Sequence, residues 1–154
     1  MCSVVPCRAV FAFLVFTCAL LASAAEVRAE DVTVNVQCVA ASDPGKQKAI
    51  PASLKAYETQ LKDAGPFATF TDAGKDTVKA AAGGNGSVTL SGYAVDVSVL
   101  SKTDKGHAKV QITIKENGKP IATPVKFDLS SRPMMMKAGD PNAPKIFLFT
   151  IKDE

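Results

Sequence analysis

His107, Cys38 and the run Met134-Met135-Met136 are the residues whose types could do chemistry. His107 is the single histidine of 154 residues, so any Ser-His-Asp or Cys-His arrangement would have to be built on it. It shares the polar face of an alternating segment with Lys109, Gln111 and Thr113 and stands next to a turn. That is the setting of a solvated strand-end side chain rather than of a general base. Cys38 continues the face formed by Val32, Val34 and Val36, where a thiol behaves as a small buried hydrophobe and not as a nucleophile. The three methionines could suit Cu(I), which accepts thioether ligands. Consecutive strand residues point to opposite faces, so only Met134 and Met136 could share an ion, with His107 the one imidazole able to join them. Filling of irregular apolar space is the simpler account of all three.

The remaining motifs exclude more than they suggest. Gly83-Gly84-Asn85-Gly86-Ser87 has the glycine content of a phosphate loop but lacks its Gly-Lys-Ser/Thr ending, and it leads into a strand, so it is expected to be a flexible turn. Asn85-Gly86-Ser87 is also a glycosylation sequon, relevant only where the source glycosylates such sites. Asp96 and Asp128 are the only acids inside strong strand patterns, and solvated sheet faces account for both. No His/Cys/Asp spacing meets a zinc template, and Asp140-Pro141-Asn142 is too short for a calcium loop. A net charge of +3, with lysine in excess of arginine and no aromatic residues between the cations, disfavours nucleic acid. The chain is therefore expected to be no enzyme and to carry no cofactor.

Positioning begins with an export segment. Met1 to Arg8 carries one cation, Ala9 to Leu21 is an apolar run, and Ala22-Ser23-Ala24 supplies small residues of the kind a signal peptidase reads. Residues 1–24 are thus expected to be a signal peptide, with cleavage alternatively after Ala29, and the apolar run is too short for a membrane anchor once cleaved. Cleavage removes Cys2, Cys7 and Cys18, so a mature protein exported to the periplasm or secreted keeps Cys38 alone and can form no internal disulfide. Arg8 is the only charged residue lost with it, leaving a small positive charge.

Residues 30–154 are expected to form one domain. The segment from Asp31 alternates as a half-buried first strand. A polar stretch follows, and then Pro51 opens a helix to about Ala64, with Leu54, Tyr57, Leu61 and Ala64 on one side and Gly65-Pro66 as the stop. After Phe67 the runs are short and alternating. Tyr93, Val95, Val97 and Val99 share one strand face and Ala108, Val110, Ile112 and Ile114 the next, joined by a turn at Thr103-Asp104-Lys105-Gly106. Asn117-Gly118 calls for a type I′ turn returning through Ile121, Thr123, Val125, Phe127 and Leu129. Ile146 to Ile151 is apolar on both faces and predicts a central strand covered on both sides, by the helix on one of them. The fold class that follows is α+β, a predominantly antiparallel β-sheet with one packed amphipathic helix.

This order, with Leu61-Lys62-Asp63-Ala64-Gly65-Pro66-Phe67 ending the helix, an Asn-Gly-Lys hairpin, Ser131-Arg132-Pro133, an apolar triplet and a final apolar strand, resembles a group of small exported bacterial proteins of unknown function. Ile50 and Met134 stand where that group usually has an acid before the helix proline and a glycine after Arg-Pro. The resemblance implies a fold of this kind and an envelope or secreted location, with no activity. Strands of this kind also resemble small sheet modules of outer-membrane secretion assemblies, a looser analogy with no site attached. The expected function is a non-catalytic binding or structural module contacting a protein or envelope partner through a sheet edge or a polar strand face, with Lys109 and Lys126 on that face. The alternatives are Cu(I) or other metal handling through Met134 and Met136, and third a small hydrolase.

Overall fold

A computed structural model describes residues 31–46, 50–103 and 106–152. The expected signal segment lies outside these residues, as do Asp104 and Lys105 of the first hairpin turn. Among the described residues, no helix is long and apolar enough to cross a membrane.

The chain is α+β and mostly antiparallel sheet. Among the described residues nine strands run as β1 (Asp31–Pro44), β2 (Phe67–Ala81), β3 (Asn85–Leu90), β4 (Tyr93–Lys102), β5 (Ala108–Glu116), β6 (Lys119–Pro120), β7 (Val125–Leu129), β8 (Met134–Ala138) and β9 (Lys145–Ile151). They divide between two sheets rather than extending one. The first has the order β2-β1-β9-β8, and the second β3-β4-β5-β6 with β7 also on β5. Alternation explains the layering. Val32, Val34, Val36 and Cys38 of β1, with Phe147 and Phe149 of β9, face Val95, Val97 and Val99 of β4 and Val110, Ile112 and Ile114 of β5. Every one of these side chains is fully or almost fully buried, so the two inner faces make one dry core.

On the outer side of the first sheet, Val39 and Ala41 of β1 and Ile146 and Leu148 of β9 form a second cluster with Leu54, Leu61 and Ala64. The helical segment between β1 and β2 thus covers the sheet, as the two-faced apolar run at 146–151 predicts. It is not the continuous helix read from Pro51. Residues Ala52–Tyr57 make a 3₁₀ segment and only Glu58–Asp63, α1, is α-helical, with Tyr57 at φ −111° and ψ 14° between them. No side-chain cap stabilises either start, and six residues are far too few for a helix to persist by propensity. Packing of Leu54 and Leu61 decides the geometry instead.

The first strand is also more covered than its alternation suggests. It lies between β2 and β9, and Thr33 and Gln37 on its polar face are buried. The Asn117-Gly118 turn has both φ values positive, 50° and 78°, as type I′ requires. The return strand is interrupted, however. β6 pairs Lys115 with Pro120, whereas β7 pairs Ile112 with Val125, so Ala122 to Pro124 bulge out of the ladder. Pro124 has no N–H to contribute there.

Candidate functional site

The outer face of the second sheet carries no covering layer among the described residues. It presents Asp96 and Ser98 of β4, Lys109, Gln111, Thr113 and Lys115 of β5, and Lys126 and Asp128 of β7. Register sets these side chains in rows, with Lys109 beside Asp128 and Gln111 beside Lys126. Lys115 Nζ lies 2.6 Å from Asp96 Oδ2, and its hydrogen bond holds the Asp96 carboxyl below the usual carboxylate range against some desolvation. Lys109 and Lys126 are both exposed on this face, as the alternation predicts. Leu100 stands beside them, on the face that the inward set Val95, Val97 and Val99 leaves outward. It is 46% exposed next to Lys109, at the bulge where the β4–β5 register slips between Val99 and Ser101.

His107 is exposed at the start of β5, its Nδ1 4.0 Å from Asp128 Oδ1 and its backbone carbonyl accepting from Thr103 N–H at 2.8 Å. Among the described residues the ring's polar contact is with the Asp128 carboxylate, and the Thr103 hydroxyl meets the His107 carbonyl rather than the ring. Asp96 and Asp128 sit on opposite sides of β5, against Thr113 and Lys109. Four residues along a strand and two strand spacings across put them roughly 16 Å apart at Cα, beyond a glycosidase pair.

The methionines alternate along the edge strand β8. Met134 and Met136 pack half-buried against the main core, opposite Phe149 and Phe147 in register, and Met135 turns to the helix cluster. Each sulfur therefore belongs to an apolar cluster, and among the described residues no three His, Cys, Asp or Glu side chains gather as a metal site. Cys38 is fully buried. Desolvation pushes its thiol up, opposed by a hydrogen bond with Ser91 and the charge of Lys145. Ser91 occupies the tight β3–β4 turn at φ 52°, and its hydroxyl also donates to Ala73 O at 2.9 Å. Native Cys38 is therefore expected to resist alkylation and to react quickly once the chain is unfolded. Cys38→Ser should lower stability by about 1–3 kcal/mol, read from denaturation curves, by placing a hydroxyl in the core. Rapid labelling of folded protein would put β1 on the wrong face.

A concavity of about 500 Å³ opens on the outer face of the first sheet, where the helical segment stops short. Asn35 and Gln37 of β1 floor it, Tyr57 walls it, and Lys75 and Thr77 of β2 and Lys152 after β9 complete it. Sequence reasoning missed this set. Its one signal was the row Thr33, Asn35, Gln37, read only as a polar strand face.

Comparison with protein-family models, with curated proteins and with solved structures finds no match.

Proposed function

We propose that the protein is an exported, non-catalytic binding module that contacts a protein partner through the open outer face of its second sheet. The observation carrying this reading is the Leu100 bulge beside Lys109 on a face with no layer over it. An exposed aliphatic side chain next to lysines that face solvent combines an apolar anchor with charges that steer association. With Lys115 paired to Asp96 and Asp128 beside Lys109, Lys126 is the cation of this face that stands across from a neutral residue, and it gives an acidic group on the partner its place. Export rests on the small-residue motifs after the apolar run in the sequence, and intact mass of exported protein tests it through a start at Ala25 or Glu30.

The face is tested by a photo-crosslinker placed at Leu100 in the envelope. One discrete crosslinked species is expected. The pair Lys109→Glu with Lys126→Glu should weaken it severalfold at unchanged melting temperature, because exposed charges steer binding more than they hold the fold. Reversal at Lys55, on the other side of the molecule, should leave it unchanged. Retention of full capture in the double variant overturns the assignment. Stoichiometric copper lost in Met134→Leu with Met136→Leu would favour metal handling instead, and loss of a measured turnover in His107→Ala would favour the hydrolase.

A further inference from the structure

The groove on the first sheet is a built site distinct from the face just assigned. Its floor belongs to β1, whose backbone is paired on both sides by β2 and β9, so no strand can add there and only side chains can recognise a ligand. Gln37 is held in place. The two N–H groups of its Nε2 are shared among Asp72 Oδ1 at 2.7 Å, Gly74 O at 3.1 Å and Cys38 O at 3.3 Å, which leaves Oε1 as its acceptor for a ligand, with the residue 5% exposed. Asn35 lies two residues along on the same face, opposite Thr77 in register, and Lys75 stands opposite Gln37. Beyond the groove, Thr33 O accepts from Lys152 N–H at 2.9 Å and ties the backbone of Lys152 to β1. Tyr57, half-buried against the helix-side cluster where the 3₁₀ segment passes into α1, forms the wall.

Fixed amides, hydroxyls and one aromatic ring are the groups that recognise rows of sugar hydroxyls and the apolar face of a pyranose. Lys75 and Lys152 add a cation at either end of the floor, and neither has a carboxylate partner among the described residues. The one acid on the lining, Asp76, accepts the Thr77 N–H at 2.7 Å. The volume is within the range of small-molecule sites, about 300–1,000 Å³. We propose that this groove binds a short acidic saccharide, with its ring over Tyr57, hydroxyls on Asn35 and Gln37, and carboxylates on Lys75 and Lys152.

Calorimetric titration of the purified protein with a galacturonic acid trisaccharide, the matching neutral galactose trisaccharide and glutarate tests it. The acidic sugar should bind at least about tenfold more tightly than either control. Lys75→Gln with Lys152→Gln, both exposed side chains, should abolish that preference while the melting temperature stays unchanged. Tyr57→Ala should weaken both sugars, and Tyr57→Phe should restore them. The pair Lys109→Glu with Lys126→Glu should have no effect, which separates this site from the partner face. Absence of binding at millimolar sugar, equal binding of glutarate, or acidic preference surviving the double lysine variant overturns the proposal.

Discussion

Phe147→Ala is expected to lower stability by about 3–5 kcal/mol, a large part of the roughly 5–15 kcal/mol available to a domain of this kind. Phe147 is fully buried on β9, opposite Cys38 on one side and Met136 on the other. Its ring meets Tyr93 of the second sheet edge-on, with centroids 5.7 Å apart at 76°. Truncation therefore removes the side chain that joins the inner faces of both sheets and breaks an aromatic pair across the core. Three strands converge at this register, leaving the surroundings little freedom to collapse into the space. Denaturant midpoints at constant slope measure the effect. Leu100→Ala, an exposed control, should stay within about 0.5 kcal/mol. A Phe147→Ala loss below about 1 kcal/mol would mean the two sheets do not share this core.

Gly86→Ala should cost about 1–3 kcal/mol by overpacking. Gly86 lies within β3, opposite Val97, and its φ is not in the left-handed region. The requirement is contact alone. A Cβ there would overlap Val78 Cγ1 of β2, where the chain passes from one sheet to the other. A short branched side chain held by its own strand cannot swing aside. In a Val78→Ala background the added methyl should cost little, so a double-mutant cycle should show coupling of at least about 1 kcal/mol. Gly83→Ala provides the contrast. Its Cβ would meet nothing within 4 Å but its φ is 82°, so its cost should be independent of Val78. Additive effects of Gly86→Ala and Val78→Ala would remove the close approach from the account.

The glycine-rich run shows where reading by pattern stops. A turn is legible from composition and falls at residues 82–83, with Gly84 N–H donating to Ala81 O, but the composition also draws Gly86 into it, because sequence spacing says nothing about a strand of the opposite sheet lying overhead. Alternation locates β4 and β5, since a period of two reports which side chains share a face, while the Asn117-Gly118 dipeptide gives its turn and the unbroken apolar run gives the doubly covered β9. The period does not report which strands are neighbours, and so the division into two sheets was not visible. Segment 67–81 failed for a sharper reason. The bulge at Ala73 sets Cys38 against Gly74 but Val39 against Asp72, so Phe70 faces the helix while Val78, also even-numbered, faces the core. One extra residue inverts the pattern, and Lys75 and Thr77 were thereby hidden as members of the groove. Tyr57 does pack against the apolar cluster, as its place beside Leu54 and Leu61 predicts, and what the sequence does not report is that its other side borders the groove.

The place of β1 between β2 and β9 also bears on the order in which the chain can fold. The second sheet grows by short returns, each strand pairing with one close in sequence. The first sheet needs Val34 to meet Ile151, more than a hundred positions apart. Loop-closure entropy opposes that pairing until late, so the meander forms first and the closing of β1 on β9 sets the rate. Until the last strand docks, Val39 and Leu54 have no Ile146 or Leu148 to pack against, and one edge of the longest buried strand stays open. Docking of β9 is therefore the step that closes both layers at once, because it brings Phe147 and Phe149 to one face of the first sheet and Ile146 and Leu148 to the other.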